Sequence, residues 1–131
     1  MRVKNFWLPF LWAVIILVLS GLSGNSISKI PFIDLPYFDK VLHLSFYFIL
    51  SILLCRGYIL QLQNKDRKWP YIFTFLTAFL YGLLIELFQA TIFSGRTADW
   101  RDALANTAGI IIGLLLYKPI HRFITRYIKS F

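Results

Sequence analysis

Cysteine and charged residues are both scarce in this chain of 131 residues. The one cysteine, Cys55, has no second cysteine with which to form an internal disulfide or a multi-cysteine zinc site. Its expected role is that of a small apolar side chain inside a helix. Charged residues make up only 15% of the chain, against about 25% in a typical soluble domain. A water-soluble fold is therefore disfavoured.

The motifs of several common enzyme classes are also missing. The sequence has no Gly-x-Ser-x-Gly, no zinc-ligand spacing and no phosphate-binding loop. It has no basic run interleaved with exposed aromatic residues, as a nucleic-acid surface requires, so we predict no nucleic-acid partner in spite of a formal net charge of +8. The positive charge is better interpreted as a signal of membrane topology.

Apolar residues are abundant, at 58% of the chain. Four apolar runs, at about 6–22, 41–60, 71–88 and 103–120, approach the roughly 20 residues that cross a bilayer as a helix. We therefore predict an all-α integral membrane protein, a four-helix transmembrane bundle forming a single domain over 1–131. A cleavable signal peptide is the alternative for the first run, because a basic start and an apolar stretch precede small residues at 20–24.

The distribution of basic residues predicts the orientation of the bundle. Ten of the fourteen lie before the first run, from the last turn of the second run to the start of the third, or from the end of the fourth run onward. Short loops rich in Lys and Arg stay in the cytoplasm, so both termini are expected there. After Pro119, apolar residues at helical spacing alternate with Arg122, Arg126 and Lys129. This pattern predicts a C-terminal amphipathic helix on the inner leaflet, with a frayed basic terminus as the alternative.

Polar residues enter the last three apolar runs along three stripes at helical spacing. The stripes are Asp39, His43, Tyr47 and Ser51; then Ala78, Gly82, Glu86 and Gln89; then Asp99, Asp102, Asn106, Gly109 and Gly113. Polar groups at membrane depth are costly and usually face the bundle interior. Gly109 and Gly113 would let a helix approach closely, either within the bundle or from a second copy in a homodimer. By the predicted topology all three stripes converge at the outer end.

Each polar residue also has a structural interpretation. Asp99 and Asp102 could cap the fourth helix, and Asp39 with Lys40 could be an interfacial charge pair. Glu86 could form a structural pair with Arg96 or Lys40.

These residues resemble the VanZ-like family of small bacterial membrane proteins, which is named for an accessory factor in glycopeptide-antibiotic resistance that protects chiefly against teicoplanin. The matching pieces are Asp39-Lys40-Val41-Leu42-His43 with Tyr47; Glu86-Leu87-Phe88-Gln89; and Gly95-Arg96 with Asp99, Asp102, Asn106 and Gly109. A proline that the family commonly has before the Gly-Arg pair is replaced by Ser94. The resemblance implies a multi-pass protein of the bacterial inner membrane and a polar site without an assigned catalytic role.

We expect this site to bind an amphiphile, such as a lipid-linked cell-envelope intermediate or a lipoglycopeptide. The expected ligand-binding residues are Asp39, Lys40, His43, Tyr47, Glu86, Gln89, Arg96, Asp99, Asp102 and Asn106. Lys40 and Arg96 would hold the ligand's anionic group. No cofactor or metal is predicted for this function, and the only partners expected are the lipid bilayer, that ligand and the possible second copy.

Two alternatives are a membrane-embedded hydrolase or transferase and a structural accessory subunit. The enzyme would use His43 and Glu86 as acid and base, with a possible divalent ion at Asp99 and Asp102.

Overall fold

A computed structural model describes residues 3–22, 37–62, 68–93 and 98–127. A short 3₁₀ turn at Val3–Asn5 precedes α1 at Trp7–Gly21, and α2 at Phe38–Leu62 follows. The last two helices are α3 at Lys68–Thr91 and α4 at Trp100–Tyr127. The described residues contain no strand, so the predicted all-helical fold is confirmed.

Three of the four helices are long and apolar enough to cross a membrane: α2, α3 and α4. The first apolar run forms a helix of only 15 residues. At a rise of 1.5 Å per residue that is about 22 Å, less than the roughly 30 Å of a bilayer's hydrocarbon core. A fourth membrane crossing by α1 therefore stays a prediction.

The outer surface of the bundle is apolar along every helix. Large exposed side chains include Phe10 on α1, Val41 on α2, Leu80 on α3 and Leu115 on α4. A soluble protein of this size would rarely leave so many apolar side chains exposed in contiguous patches. Lipid is the environment that suits this surface, in agreement with the composition.

The closest helix packing is between α2 and α4, at the two glycines of the third stripe. A Cβ atom on Gly109 would collide with the Leu44 carbonyl oxygen and come within 3.0 Å of the Phe48 nitrogen. On Gly113 it would collide with Ser51 Oγ and approach the Phe48 carbonyl oxygen to 2.8 Å. Both glycines are covered by α2 of the same chain, so the predicted homodimer, which stays a prediction, would have to use another surface.

The first helix packs against α2 and α3 through two hydrogen bonds to backbone carbonyls. Trp12 Nε1 donates to the Phe46 carbonyl at 3.0 Å, and the Tyr81 hydroxyl donates to the Ala13 carbonyl at 2.6 Å. Cys55 is fully buried in α2, which confirms its expected role as a small core residue.

Helix α4 continues past Pro119 without a break and ends at Tyr127. In the described part of the tail, the residues after Pro119 therefore extend the last long helix and do not begin a new one. Lys129 lies outside the described residues. An interfacial position for this extension stays a prediction.

Candidate functional site

The functional residues predicted from the three stripes gather at one end of the bundle, where α2 and α4 begin and α1 and α3 end. We call this the polar end. Its described ionisable side chains are Asp39, Lys40, His43, Glu86, Asp99, Arg101 and Asp102. The antiparallel order of the helices brings together residues that are far apart in the sequence. His43 and Asn106, for example, are 63 positions apart and are in contact. The predicted convergence of the stripes is thus what the structure shows.

Lys40 lies at the centre of the ion pairs at the polar end. Its Nζ donates to Asp99 Oδ2 at 2.8 Å and to Asp102 Oδ1, and it lies 3.6 Å from Asp39 Oδ2. The bond to Asp102 links α2 to α4. The side chain of Asp102 is almost fully buried, so this ion pair keeps a charge from being buried without a partner.

Asp99 lies just before α4 and connects three parts of the site. Its Oδ1 accepts from the Arg101 backbone nitrogen at 2.9 Å, and its own backbone nitrogen donates to Glu86 Oε2 at 3.3 Å. The Lys40 ammonium beside it lowers the pKa of the Asp99 carboxyl below its ordinary value, with the Arg101 backbone hydrogen bond adding to the effect. Asp99 is therefore a carboxylate at neutral pH.

His43 is buried on α2, and both of its ring nitrogens face polar groups of other residues. Nδ1 lies 3.0 Å from Asn106 Oδ1 on α4. On the other side of the ring, Nε2 lies 3.8 Å from Asp39 Oδ1 and 3.8 Å from Asp102 Oδ2. The amide of Asn106 therefore fixes the orientation of a ring whose second nitrogen faces two carboxylates.

Three buried polar atoms below these ion pairs have no hydrogen-bond partner within the described part of the chain: Tyr47 Oη, Glu86 Oε1 and Asn106 Nδ2. Their residues are only 1%, 8% and 2% exposed, respectively. A buried polar atom without a partner costs about 1–3 kcal/mol and is rare in native proteins, so three of them close together require an explanation, such as a bound molecule or a role in catalysis.

Gln89, near the end of α3, contacts the end of α1. The sequence did not indicate this contact. Its Nε2 donates to the Ser20 carbonyl at 3.4 Å. The interaction uses the backbone of Ser20, and a backbone carbonyl leaves no residue-specific signal in a sequence.

Not every expected pairing is present. Arg96, which was expected to bind an anion or to pair with Glu86, lies outside the described residues. The expected pair of Asp39 with Lys40 is present at 3.6 Å, but Lys40 binds Asp99 and Asp102 more closely. The capping of α4 by Asp99 is confirmed, because its Oδ1 accepts from the Arg101 nitrogen in the first turn.

Comparison with known proteins gives one match. The family model described as VanZ/LLP1 matches residues 3–124, nearly the whole chain. No curated protein and no solved structure matches.

Proposed function

Because the chain belongs to the VanZ/LLP1 family, we propose that it is a membrane protein whose polar end binds an amphiphile. A lipid-linked cell-envelope intermediate and a lipoglycopeptide are the two ligand types that fit this proposal. The predicted orientation would place the polar end at the outer face of the bacterial inner membrane, where such molecules are handled.

The observation that carries the proposal is the set of unpartnered buried atoms on Tyr47, Glu86 and Asn106. Glu86 Oε1 is an acceptor when ionised, the Asn106 amide nitrogen is a donor, and the Tyr47 hydroxyl can be either. Hydroxyl and amide groups of a sugar or peptide head group could satisfy all three. The apolar outer surface of the helices would hold the hydrocarbon part of the ligand.

The ion pairs change one detail of the expected binding mode. Lys40 already donates to Asp99 and Asp102, so it is not a free ammonium for an anionic group. We therefore propose that the described buried residues of the polar end bind the hydrogen-bonding groups of the ligand. We do not propose that they bind its negative charge.

Native mass spectrometry of the protein released from nanodiscs tests this proposal. We compare the wild type with Tyr47→Phe and Glu86→Gln. Tyr117→Phe is the matched control, because Tyr117 is a buried tyrosine in the second half of α4, about four turns from Asp102. The wild type and the control should carry an adduct of defined lipid or glycan mass. Glu86→Gln keeps an acceptor oxygen but loses the charge, which weakens a hydrogen bond by about 1–1.5 kcal/mol and should reduce the adduct roughly five- to tenfold.

The Tyr47→Phe variant should lose a comparable share, because it removes a neutral hydrogen bond worth about 0.5–1.5 kcal/mol. Helical circular dichroism and a melting curve for each variant separate loss of ligand from loss of fold. Wild-type protein that carries no adduct in several lipid compositions would contradict the proposal and favour a structural accessory role.

A membrane-embedded hydrolase or transferase is the second candidate. The contact of His43 Nδ1 with Asn106 favours it, since an oriented imidazole is what a general base requires. Turnover of a lipid-linked ester that is abolished by Glu86→Gln, with the adduct retained, would support the enzyme over the binding protein.

A further inference from the structure

Three side chains at the polar end each bring one possible metal-ligand atom close to those of the other two. They are Asp39 and His43 on α2 and Asp102 on α4, and their ligand atoms all lie within 4.8 Å of one another. His43 Nε2 lies 3.8 Å from Asp39 Oδ1 and 3.8 Å from Asp102 Oδ2. Neither is short enough for a hydrogen bond.

These separations are close to those around a bound metal ion. Ligand atoms about 2.1 Å from one metal lie roughly 3.0–3.4 Å apart in octahedral or tetrahedral geometry. Each His43 separation would have to close by about 0.4–0.8 Å, and the two carboxylate oxygens, at most 4.8 Å apart, by up to about 1.4 Å, to bring the three atoms into a coordination sphere. Asp39 is partly exposed and lies in the first turn of α2, so its side chain has room to make this adjustment.

The surroundings of His43 prepare its Nε2 for a metal. In the neutral tautomer that donates Nδ1–H to Asn106 Oδ1, Nε2 has a free lone pair directed at the two carboxylates. Metal-bound histidines generally donate their other ring N–H to a fixed acceptor in this way. Asn106 is itself buried, so the acceptor is held in place.

Lys40 binds the opposite oxygens of the same two carboxylates. Its ammonium contacts Asp39 Oδ2 and Asp102 Oδ1, and this leaves Asp39 Oδ1 and Asp102 Oδ2 on the side of His43. One cation thus already orients both carboxylates and leaves one oxygen of each for a second cation.

The charges of this group favour a divalent ion. Three carboxylates, on Asp39, Asp99 and Asp102, surround one ammonium, that of Lys40. With His43 neutral the group carries a formal charge of −2. Glu86 lies next to this group, because its Oε2 accepts a hydrogen bond from the Asp99 backbone nitrogen. Its other oxygen, Oε1, is buried and has no partner among the described residues. Arg101 is exposed, with its guanidinium over the Trp100 ring at 5.7 Å.

The geometry points to a divalent transition-metal site formed by Asp39 Oδ1, His43 Nε2 and Asp102 Oδ2. One imidazole with two carboxylates suits an ion such as Mn²⁺ or Zn²⁺ better than Ca²⁺, which prefers oxygen ligands alone. With three coordination positions of the ion filled by the protein, its other positions are open to water or to the phosphate or carboxylate of a bound molecule. The site goes beyond the proposed binding function and needs no amphiphile to form.

Mn²⁺ binding to the protein in phosphatidylcholine nanodiscs, measured by electron paramagnetic resonance, tests this inference. The variants are Asp39→Asn and His43→Gln, and His121→Gln is the matched control because His121 lies near the other end of α4. Wild type and control should bind one Mn²⁺ per chain above the level of empty nanodiscs. Both site variants should weaken binding at least about tenfold, and Zn²⁺ should displace the Mn²⁺.

A spin-echo measurement gives a direct signature of the imidazole ligand. Coupling of bound Mn²⁺ to a ¹⁴N nucleus should be present in the wild type and in His121→Gln, and absent in His43→Gln. If His43→Gln fails to fold, Asp39→Asn carries the test, since that side chain is partly exposed. Binding no greater than that of empty nanodiscs, or binding that both site variants leave unchanged, would overturn the inference. Either result leaves the amphiphile proposal standing, because its mass-spectrometric test does not depend on a metal.

Discussion

At the scale of single residues, the polar end consists of charges that compensate one another. Asp102 is a nearly buried carboxylate whose cost is offset by the ammonium of Lys40. Lys40 lies in the first turn of α2 and Asp102 in the first turn of α4. One side chain therefore holds the starts of two helices together and neutralises part of the site.

This role predicts the effect of Lys40→Met. The substitution keeps a long unbranched side chain but leaves Asp102 buried without its partner, which should reduce the free energy of unfolding by about 1–3 kcal/mol. Unfolding of the purified protein, followed by circular dichroism in a mild detergent, measures the change.

Lys118→Met is the matched control for this variant, because Lys118 is exposed near the other end of α4. We expect its effect to stay within about 0.5 kcal/mol. Equal stability of the two variants would show that the Lys40 pair contributes nothing to the fold.

At the scale of helices, the glycine stripe sets the distance between α2 and α4. The Leu44 carbonyl lies where a side chain at Gly109 would begin. Backbone atoms cannot move away as a flexible side chain can, so the two helices would have to separate. Because His43 and Asn106 lie on these same helices and are 3.0 Å apart, the packing also sets the geometry of the site.

Gly109→Ala should therefore destabilise the bundle, although alanine is the better helix former. The collision with the Leu44 backbone should cost about 1–3 kcal/mol, which outweighs the gain of about 1 kcal/mol in helix propensity. The same unfolding measurement checks this value.

Gly82→Ala on α3 is the matched comparison. Its Cβ would meet the edge of the Tyr47 ring at 3.3 Å, a side chain that can shift slightly. We expect a change of less than about 1 kcal/mol. If Gly82→Ala proved as harmful as Gly109→Ala, close approach of the α2 and α4 backbones would not be the cause.

At the scale of the whole molecule, the two ends of the bundle differ in charge. The end opposite the polar end, where α1 and α3 begin and α2 and α4 end, is basic. Its described basic residues include Lys4, Arg56, Lys68, Lys118 and Arg122. This asymmetry is the pattern that keeps a loop in the cytoplasm. The polar end would then face outward.

Reporter fusions to the full chain test this orientation. Green fluorescent protein at the C-terminus should fluoresce, and alkaline phosphatase at the same position should be inactive, because the predicted C-terminus is cytoplasmic. The same reporters inserted into the full chain after Phe93, two residues beyond the end of α3, should give the opposite pair of results. Phosphatase activity at the C-terminus would contradict the predicted orientation and would indicate that the polar end faces the cytoplasm.

The sequence by itself determined the helices and the residues that face inward. Its apolar runs predicted all four helices, and its stripes predicted that His43, Tyr47, Glu86, Asp102 and Asn106 would be buried, as they are. The reason is that both inferences depend on local sequence: the helices follow from the length of apolar runs, and the inward faces follow from helical spacing. The family resemblance, drawn from short motifs in a fixed order, was likewise confirmed over residues 3–124.

Only the tertiary structure decided which polar atoms meet. The sequence allowed Glu86 to pair with Lys40, but Lys40 instead donates to Asp99 and Asp102. Nor could the sequence show that His43 Nε2 faces Asp39 and Asp102 while Nδ1 faces Asn106. Such pairings depend on the separation and rotation of α2 and α4, which are set by Gly109 lying against a backbone carbonyl. Periodicity identifies the inward face of each helix, but only the packed bundle fixes the distances between those faces.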